Sequence, residues 1–257
     1  MGCAESRTPP NPSPPPSPES LPFPLDFVNK VTRKYAPNRF ISEAQFQAII
    51  TQLQLTPLSE GWRRFYDCVR RGDAYDRLEM LVAHVMYGRS EDRTQRLRLL
   101  FETVDEEYVQ VVTAEKAQLL IRTMLRVAVS YYLRANDLSP SDRAQLLATE
   151  ALLEVISRHI LHLLTDSAQV SLQNWQQLAE NADFQDIGTP KGLRKAAITK
   201  GKELIGSTET EESVAEPAMA GQSRRRRHRG TVTERGMAVS AHIQAKMQQK
   251  ARRTMPI

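Results

Sequence analysis

The stretch that decides the fold is residues 79–125, EMLVAHVMYGRSEDRTQRLRLLFETVDEEYVQVVTAEKAQLLIRTML. Apolar residues recur three and four positions apart in RLRLLF (96–101) and again from residue 116 onwards, which is the period of an amphipathic helix. The same period continues in ALLEVISRHILHLL (151–164), and no run with the alternation of a strand stands out. The sequence therefore predicts an all-α domain over residues 25–182.

Four segments of this domain repeat one layout, in which a polar loop is followed by one β-branched or aromatic residue and then by a new helix. The segments are RFISEAQF (39–46), AYDRLEMLV (74–82), QVVTAEKAQLL (110–120) and QVSLQNWQQL (169–178). The β-branched or aromatic residues are Ile41, Tyr75, Val112 and Val170. Their order and spacing predict helix-loop-helix units that associate in two pairs.

This layout resembles the EF-hand superfamily, and residues 79–125 are similar to the middle of calcineurin B and the related myristoylated calcium-sensor proteins. The resemblance covers about residues 26–180 and is weakest in the first repeat. The regulatory N-terminal regions of TLD-domain proteins look similar too, although no β-rich segment follows here. The resemblance implies two paired EF-hand-like units, flanked by disordered N- and C-terminal segments, and in each unit an apolar loop residue that pairs with the sister loop.

The loops lack the residues that calcium binding requires, namely oxygen ligands at loop positions 1, 3 and 5 and a bidentate Glu at position 12. The third loop has Asp105 at position 1 but Lys116 at position 12. The second loop has Glu79 at position 12, but Cys68 and Arg70 stand at positions 1 and 3. We therefore expect calcium-independent loops, and we assign no metal-ligating residue and no cofactor.

An apolar groove that accepts an amphipathic helix from a partner protein is the other property that the resemblance implies. The alternative is that the same side chains are ordinary core. The residues predicted to line the groove are Leu99, Phe101, Leu120, Met124, Val127, Tyr131 and Leu161.

Catalytic patterns are missing from the sequence. Cys68 has no histidine and acid at a characteristic spacing, and neither a Gly-rich phosphate loop nor a G-x-S-x-G turn occurs. His159 and His162 are spaced to share a metal ion on one helix face, but no third His or Cys accompanies them. We therefore predict no catalytic residue and expect that the protein is not an enzyme.

The N-terminal residues MGCAES (1–6) match the N-myristoylation pattern M-G-x-x-x-[ST], in which Gly2 carries the acyl chain. One acyl chain binds a membrane only marginally, and Cys3 offers a second anchor through S-palmitoylation. Residues 1–7 are therefore predicted to be an acylation signal. The alternative is that the Met-Gly start and the nearby cysteine are incidental.

The cysteine count and the hydropathy agree with this anchor. Two cysteines cannot form a disulfide framework, which favours a reducing, cytosolic compartment. No apolar run approaches the roughly 20 residues of a spanning helix. The predicted location is the cytoplasmic face of a membrane, with the plasma membrane as the first choice and the nucleus as the alternative.

Three flanking segments differ in composition from the helical domain. Residues 8–24 are rich in proline and serine and are predicted to be an extended linker. Residues 183–223 are predicted to be a disordered linker, since they are rich in Gly, Lys, Thr and Glu. Residues 224–257 form a basic tail in which 237–253 carry the pattern of an amphipathic helix.

The basic tail holds ten Lys or Arg and one Glu, a balance of +9 that leaves −4 for residues 1–223. Its arginines are predicted to contact anionic lipids or phosphate groups. The alternatives are a nuclear localisation signal, phosphate contacts with nucleic acid, or a solvated charge run. No aromatic residues are interleaved for stacking on bases, which argues against nucleic acid. The arginines of the cluster are Arg224, Arg225, Arg226, Arg227 and Arg229.

Together these patterns predict a lipid-anchored adaptor or regulatory subunit that binds a partner helix without calcium. One alternative is a working calcium sensor that regulates a phosphatase, a kinase or a transporter. A second alternative is a nuclear or nucleic-acid-associated protein that uses the basic tail.

Overall fold

The structure is a computed structural model that describes residue 21 and residues 24–90, 92–165 and 167–214, with side chains up to residue 205. Gly2 and Cys3 lie outside the described residues, as do the basic tail and nearly all of the predicted proline-rich linker.

Helices make up most of the described chain, so the prediction of a mainly helical domain is confirmed. The first four are α1 (Leu25–Tyr35), α2 (Glu43–Gln52), α3 (Glu60–Val69) and α4 (Arg77–Tyr87). The next four are α5 (Arg93–Phe101), α6 (Ala114–Leu125), α7 (Tyr132–Ala135) and α8 (Pro140–Glu150). The last three are α9 (Leu153–Leu164), α10 (Leu172–Gln177) and α11 (Pro190–Val214). A π-helical segment, Arg126–Tyr131, joins α6 to α7 without a break.

Short strands lie between the helices, and the prediction of an all-α domain is wrong in this respect. The strands are β1 (Phe40–Ser42), β2 (Arg70–Arg71), β3 (Ala74–Asp76), β4 (Val111–Thr113) and β5 (Gln169–Ser171). Strands of two or three residues are too short to show an alternating pattern in the sequence, which is why they were missed.

The strands pair antiparallel, in one sheet of order β1-β3-β2 and a second sheet of β4 and β5. The β1–β3 and β4–β5 pairings each join two helix-strand-helix segments, whereas β2 and β3 form a hairpin between α3 and α4. Ile41 of β1 lies opposite Tyr75 of β3, and Val112 of β4 lies opposite Val170 of β5. These are the four residues that the repeated layout singles out, and each is buried. Cross-strand apolar pairs of this kind stabilise a small sheet because they remove both side chains from water.

Most helices begin at a side chain that accepts a hydrogen bond from the backbone N–H three residues later. Such a cap satisfies an N–H that has no partner within the helix and contributes about 1 kcal/mol. The caps of this kind are Ser42, Ser59, Asp76, Asp92, Thr113, Ser139 and Ser171.

The helical domain extends beyond the predicted boundary at residue 182, which corrects the assignment of a disordered linker for residues 183–214. Residues 215–223 lie outside the described residues. Phe184, Ile187, Leu193 and Ala197 are buried against the core, and α11 begins at residue 190. These apolar residues are few in a polar segment, so the composition of the segment predicts disorder. They are buried only because the earlier helices provide an apolar surface for them. Leu21, at the end of the proline-rich linker, is buried in the same way.

Buried aromatic side chains fill both halves of the core. Phe46 stacks on Tyr75 with ring centres 4.1 Å apart, so that the first strand pair is tied to α2. Trp175 is fully buried and its Nε1 donates a hydrogen bond to the Leu97 carbonyl at 3.0 Å. That bond ties α10 to α5.

His84 is the buried polar centre of the first half. Its Nδ1 lies 2.7 Å from the Thr32 hydroxyl and its Nε2 lies 2.8 Å from the Tyr66 hydroxyl. All three side chains are buried, and burial lowers the pKa of His84 to about 3. The imidazole is therefore neutral in the folded protein near pH 7.

We predict that acidification destabilises the protein through His84. The unfolded chain gains a proton near its ordinary pKa of 6.5, whereas folded His84 stays neutral down to a pH of about 3. Stability from this residue is complete above pH 6.5 and falls below it by about 1.4 kcal/mol per pH unit. Urea denaturation at a series of pH values measures the slope, which the His84→Gln variant should reduce.

The matched control for this prediction is His162→Gln, because His162 is exposed at the end of α9. The control should keep the wild-type slope between pH 6.5 and pH 3. Equal slopes in the wild type and His84→Gln would contradict the prediction, whatever the absolute stability of the variant.

Candidate functional site

The Glu79 carboxylate is buried between two arginines that come from different parts of the chain. Arg71 Nη2 donates to both carboxylate oxygens, at 2.9 and 2.7 Å, and Arg126 Nη1 donates to one of them. Only 5% of the Glu79 side chain is exposed, whereas each arginine side chain is 44% exposed. The arginines therefore neutralise a carboxylate that water hardly reaches.

The π-helical segment supplies the second half of this network. Arg71 Nη2 also donates to the Tyr131 hydroxyl at 3.1 Å, and Tyr131 lies at the C-terminal end of the segment. Burial, reinforced by the charge of Glu79, raises the pKa of Tyr131. Burial alone would lower the pKa of Arg126, but the hydrogen bond and charge of Glu79 raise it overall. We refer to Arg71, Glu79, Arg126 and Tyr131 as the guanidinium network.

The chemistry of this network is that of a closed ion cluster. Glu79 is the residue that the repeated layout places at the twelfth loop position, where a calcium-binding loop has its bidentate carboxylate. Here both oxygens already accept hydrogen bonds from guanidinium groups. A cation could coordinate Glu79 only if it displaced one or both arginines.

The loop between α5 and β4 is closed by its own carboxylate. Asp105 is buried, and its oxygens accept hydrogen bonds from the backbone N–H groups of Val109 at 3.1 Å and Gln110 at 2.8 Å. Tyr108 and Gln110 adopt the left-handed conformation, with φ of 55° and 60°. The backbone amides of the loop therefore satisfy Asp105 and fold the chain tightly around it.

No group of three or more His, Cys, Asp or Glu side chains could hold a metal ion within the part of the chain that the structure describes. His159 packs near Lys200 and Glu203 of α11, and burial lowers its pKa. The Cys68 thiol donates to the Arg64 carbonyl at 3.3 Å, and burial raises its pKa. A raised pKa keeps this thiol protonated and weakly nucleophilic.

The residues predicted to line a partner groove lie in the interior in this conformation, and binding of a partner through them stays a prediction. Leu161 is partly buried and packs against the core. The buried ones are Leu99, Phe101, Leu120, Met124, Val127 and Tyr131.

Helix α11 covers the face that α6, the π-helical segment, α8 and α9 present. Its contact residues follow a helical period: Leu193, Ala196 and Ala197 are buried, and Gly201 lies against Thr149 of α8 and Leu152 of the α8–α9 turn. We refer to this surface beneath α11 as the covered face.

Arg194 fixes the first turns of α11 to the covered face. Its Nη1 donates to the Ala128 carbonyl of the π-helical segment at 3.1 Å, and its guanidinium lies 3.4 Å from the centre of the Tyr132 ring. The wider backbone of a π-helical segment leaves carbonyls outside the regular α-helical bonding pattern, where a side chain can reach them. The same segment therefore contacts both the guanidinium network and α11.

The sequence did not predict the packing of α11 on the covered face or the guanidinium network, for different reasons. The apolar residues Leu193, Ala197 and Leu204 are spaced for one helix face, so a helical period was present although weak. Arg71 and Arg126 carry no such signal, because they are far apart in the chain and meet only at Glu79.

No protein-family model, curated protein or solved structure matches this chain. Among the residues that the structure describes, no helix combines the length and apolar character needed to cross a lipid bilayer. The function is therefore inferred from the geometry of this chain.

We predict that Glu79→Gln lowers the free energy of unfolding by about 1–3 kcal/mol. The neutral amide no longer balances Arg71 and Arg126, and its NH₂ group competes with them as a donor. Urea denaturation of the full-length variant measures the change. The control is Glu60→Gln, because Glu60 pairs with Arg63 and Arg64 on the exposed surface of α3.

The control should change the free energy of unfolding by no more than about 0.5 kcal/mol, as is usual for exposed ion pairs. If Glu79→Gln changed the stability as little as Glu60→Gln, the guanidinium network would not contribute to the free energy of folding.

Proposed function

We propose that the protein is a lipid-anchored, membrane-associated adaptor or regulatory subunit with a calcium-independent EF-hand-like domain that binds a partner helix. The observation that carries this proposal is the Glu79 carboxylate, whose charge is balanced by Arg71 and Arg126. The domain then needs no bound cation to neutralise Glu79. We place the binding site for the partner helix on the covered face.

The EF-hand-like assignment draws support from the loops. Each of the four strand residues Ile41, Tyr75, Val112 and Val170 lies between two helices and pairs with its counterpart in a sister loop. Gln110 adopts the left-handed backbone that glycine usually supplies at position 6 of such a loop. These features are typical of paired helix-loop-helix units.

Calcium independence draws support from the electrostatics of two loops. In one loop Glu79 is held by guanidinium groups, and in the other Asp105 is satisfied by backbone amides. Lys116 stands at the twelfth position of that second loop, where a positive charge opposes a cation.

The helix-binding role draws support from the way α11 lies on the covered face. A face that accepts one helix of this chain has the shape and the apolar surface to accept another. Three contact residues of α11, Ala196, Ala197 and Gly201, are small and bury little apolar area at about 25 cal/mol per Å². The large apolar contact residues are Leu193, which is buried, and Ile198, Leu204 and Ile205, which are partly buried against the core. A partner helix competes with α11 for this face when its apolar side chains bury more area there than these residues do.

Displacement of α11 gives a direct test with the wild-type α11 peptide, residues 190–214, as the probe. Leu193→Asp places a charge at a buried contact and should release α11 from the covered face. The full-length variant should then bind the labelled peptide in trans, measured by fluorescence anisotropy, whereas the wild-type protein should bind it much more weakly.

The matched control is Lys202→Asp, which changes an exposed residue of the same helix and should behave as the wild type. Equal binding of the peptide by Leu193→Asp and Lys202→Asp would contradict a helix-binding face. A circular dichroism spectrum of each variant shows whether the rest of the domain stays folded.

Calorimetric titration tests calcium independence on the full-length protein. We expect no binding heat when micromolar calcium is added, because Glu79 and Asp105 already have protein partners. Saturable micromolar binding would contradict the proposal and favour the alternative of a working calcium sensor.

Lipid anchoring rests on the sequence alone, since Gly2 and Cys3 lie outside the described residues. The test compares the cellular location of the full-length protein, tagged at its C-terminus, with that of Gly2→Ala. The wild type should be at a membrane and Gly2→Ala should be released, because myristoylation requires the glycine. A nuclear location of both proteins would contradict the anchor and favour the role of the basic tail.

A further inference from the structure

A cavity of about 360 Å³ lies between the α4–α5 turn, α7 and the start of α11. Its volume falls at the lower end of the roughly 300–1,000 Å³ that is usual for ligand pockets. Among the described residues that line it there are four cationic side chains and no carboxylate. The cations are Arg89, Arg96, Lys191 and Arg194.

The Arg96 guanidinium is the unusual group of this pocket, because it is buried and pairs with no carboxylate of the described residues. Only 7% of the residue is exposed. Its Nη1 donates to the carbonyls of Val85 and Met86, at 3.0 and 2.8 Å, and its Nη2 donates to the Ser90 carbonyl at 3.0 Å. These neutral acceptors orient the group but leave its charge uncompensated, which is costly for a buried ion.

Tyr87 also lines this pocket, and its hydroxyl is a polar group that lacks a hydrogen-bond partner in the part of the chain that the structure describes. The hydroxyl is buried. The Tyr87 ring packs edge-on against Trp62 and Phe65 of α3. Burial raises the pKa of Tyr87, and the positive charge of Arg194, which also lines the pocket, opposes this shift. A buried hydroxyl without a partner is costly, so an acceptor oxygen that reached it would be bound favourably.

The start of α11 completes the positive wall of the pocket. Arg194 is held in place by the Ala128 carbonyl and the Tyr132 ring, so its planar guanidinium has a fixed position. Lys191 and Arg89 are exposed at the rim, where they can move towards a ligand. The partial positive charge at the first turn of a long helix adds to this field.

We propose that this cavity binds a phosphate group of a phosphorylated small molecule or of a lipid headgroup. A phosphate oxygen accepts from a guanidinium and from a hydroxyl at once, and it supplies the negative charge that buried Arg96 lacks. The pocket exists with α11 in its observed place, so anion binding does not require a partner helix.

A bound anion would also affect the attachment of α11 to the domain. A phosphate in this cavity would contact Arg96 of α5 and Lys191 or Arg194 of α11 together. It would therefore link the start of α11 to the body of the domain and stabilise α11 on the covered face.

The test uses full-length protein produced without acylation and two probes. The first probe is inositol trisphosphate, a soluble headgroup, measured by calorimetry. The second probe is a phosphatidylcholine vesicle that contains phosphatidylinositol bisphosphate, measured by co-sedimentation. The basic tail also attracts anions, so the informative quantity is the difference between variants that share an intact tail.

Tyr87→Phe and Lys191→Glu are the pocket variants, and Lys202→Glu is the control. Tyr87→Phe keeps the net charge and removes only a hydroxyl without a partner, so the ligand-free protein should be as stable as the wild type. Lys191→Glu and Lys202→Glu make the same charge change at exposed positions of α11, inside and outside the cavity.

We expect each pocket variant to bind inositol trisphosphate about tenfold more weakly than the control, the usual effect of losing one hydrogen bond to a charged group. A parallel loss of vesicle binding would identify a lipid headgroup as the source. A loss confined to the soluble probe would identify a soluble phosphorylated ligand. Binding of both probes by Tyr87→Phe and Lys191→Glu as tightly as by Lys202→Glu would overturn the proposal.

Discussion

The buried carboxylate of Glu79 is the interaction on which the arrangement of the domain depends. Glu79 lies in α4, in the first half of the chain. Its carboxylate accepts hydrogen bonds from Arg71 of β2 and from Arg126 in the π-helical segment. Removing a carboxylate from water is unfavourable unless its oxygens are satisfied, and here both are. Arg71 alone donates to both oxygens, and Arg126 adds a further hydrogen bond from the π-helical segment. The burial of Glu79 is therefore most favourable when α4 and the π-helical segment lie in their observed relation.

The two loop carboxylates show how a helix-loop-helix scaffold can be held without an ion. Glu79 uses guanidinium groups and Asp105 uses the backbone amides of its own loop. An ion can dissociate and so act as a switch, whereas these partners are covalent parts of the chain. Under the proposed function, a conformational change would have to come from another element. Helix α11 is such an element, because it lies on the surface and contacts α6, the π-helical segment, α8 and α9.

The π-helical segment connects these features. Arg126 at its first position reaches Glu79, and the Ala128 carbonyl accepts from Arg194 of α11. The cationic cavity beside Tyr87 lies at the same end of α11. A change in the position of α11 would thus alter the contacts of Arg194, the shape of the cavity and the packing of the π-helical segment, which carries Arg126 and Tyr131 of the guanidinium network.

The sequence by itself determined the helical character of the domain, the four strand residues such as Ile41 and Val112, and the departure of the loops from the residue pattern of calcium ligands. These features depend on spacing and residue type within short windows, so a linear pattern contains them. Only the tertiary structure decided that Leu193 and Ala197 belong to the domain, that Arg71 and Arg126 share Glu79, and that Arg96 and Tyr87 border one cavity. Such contacts join residues far apart in the chain, and their energies depend on burial, which arises only when the helices pack together.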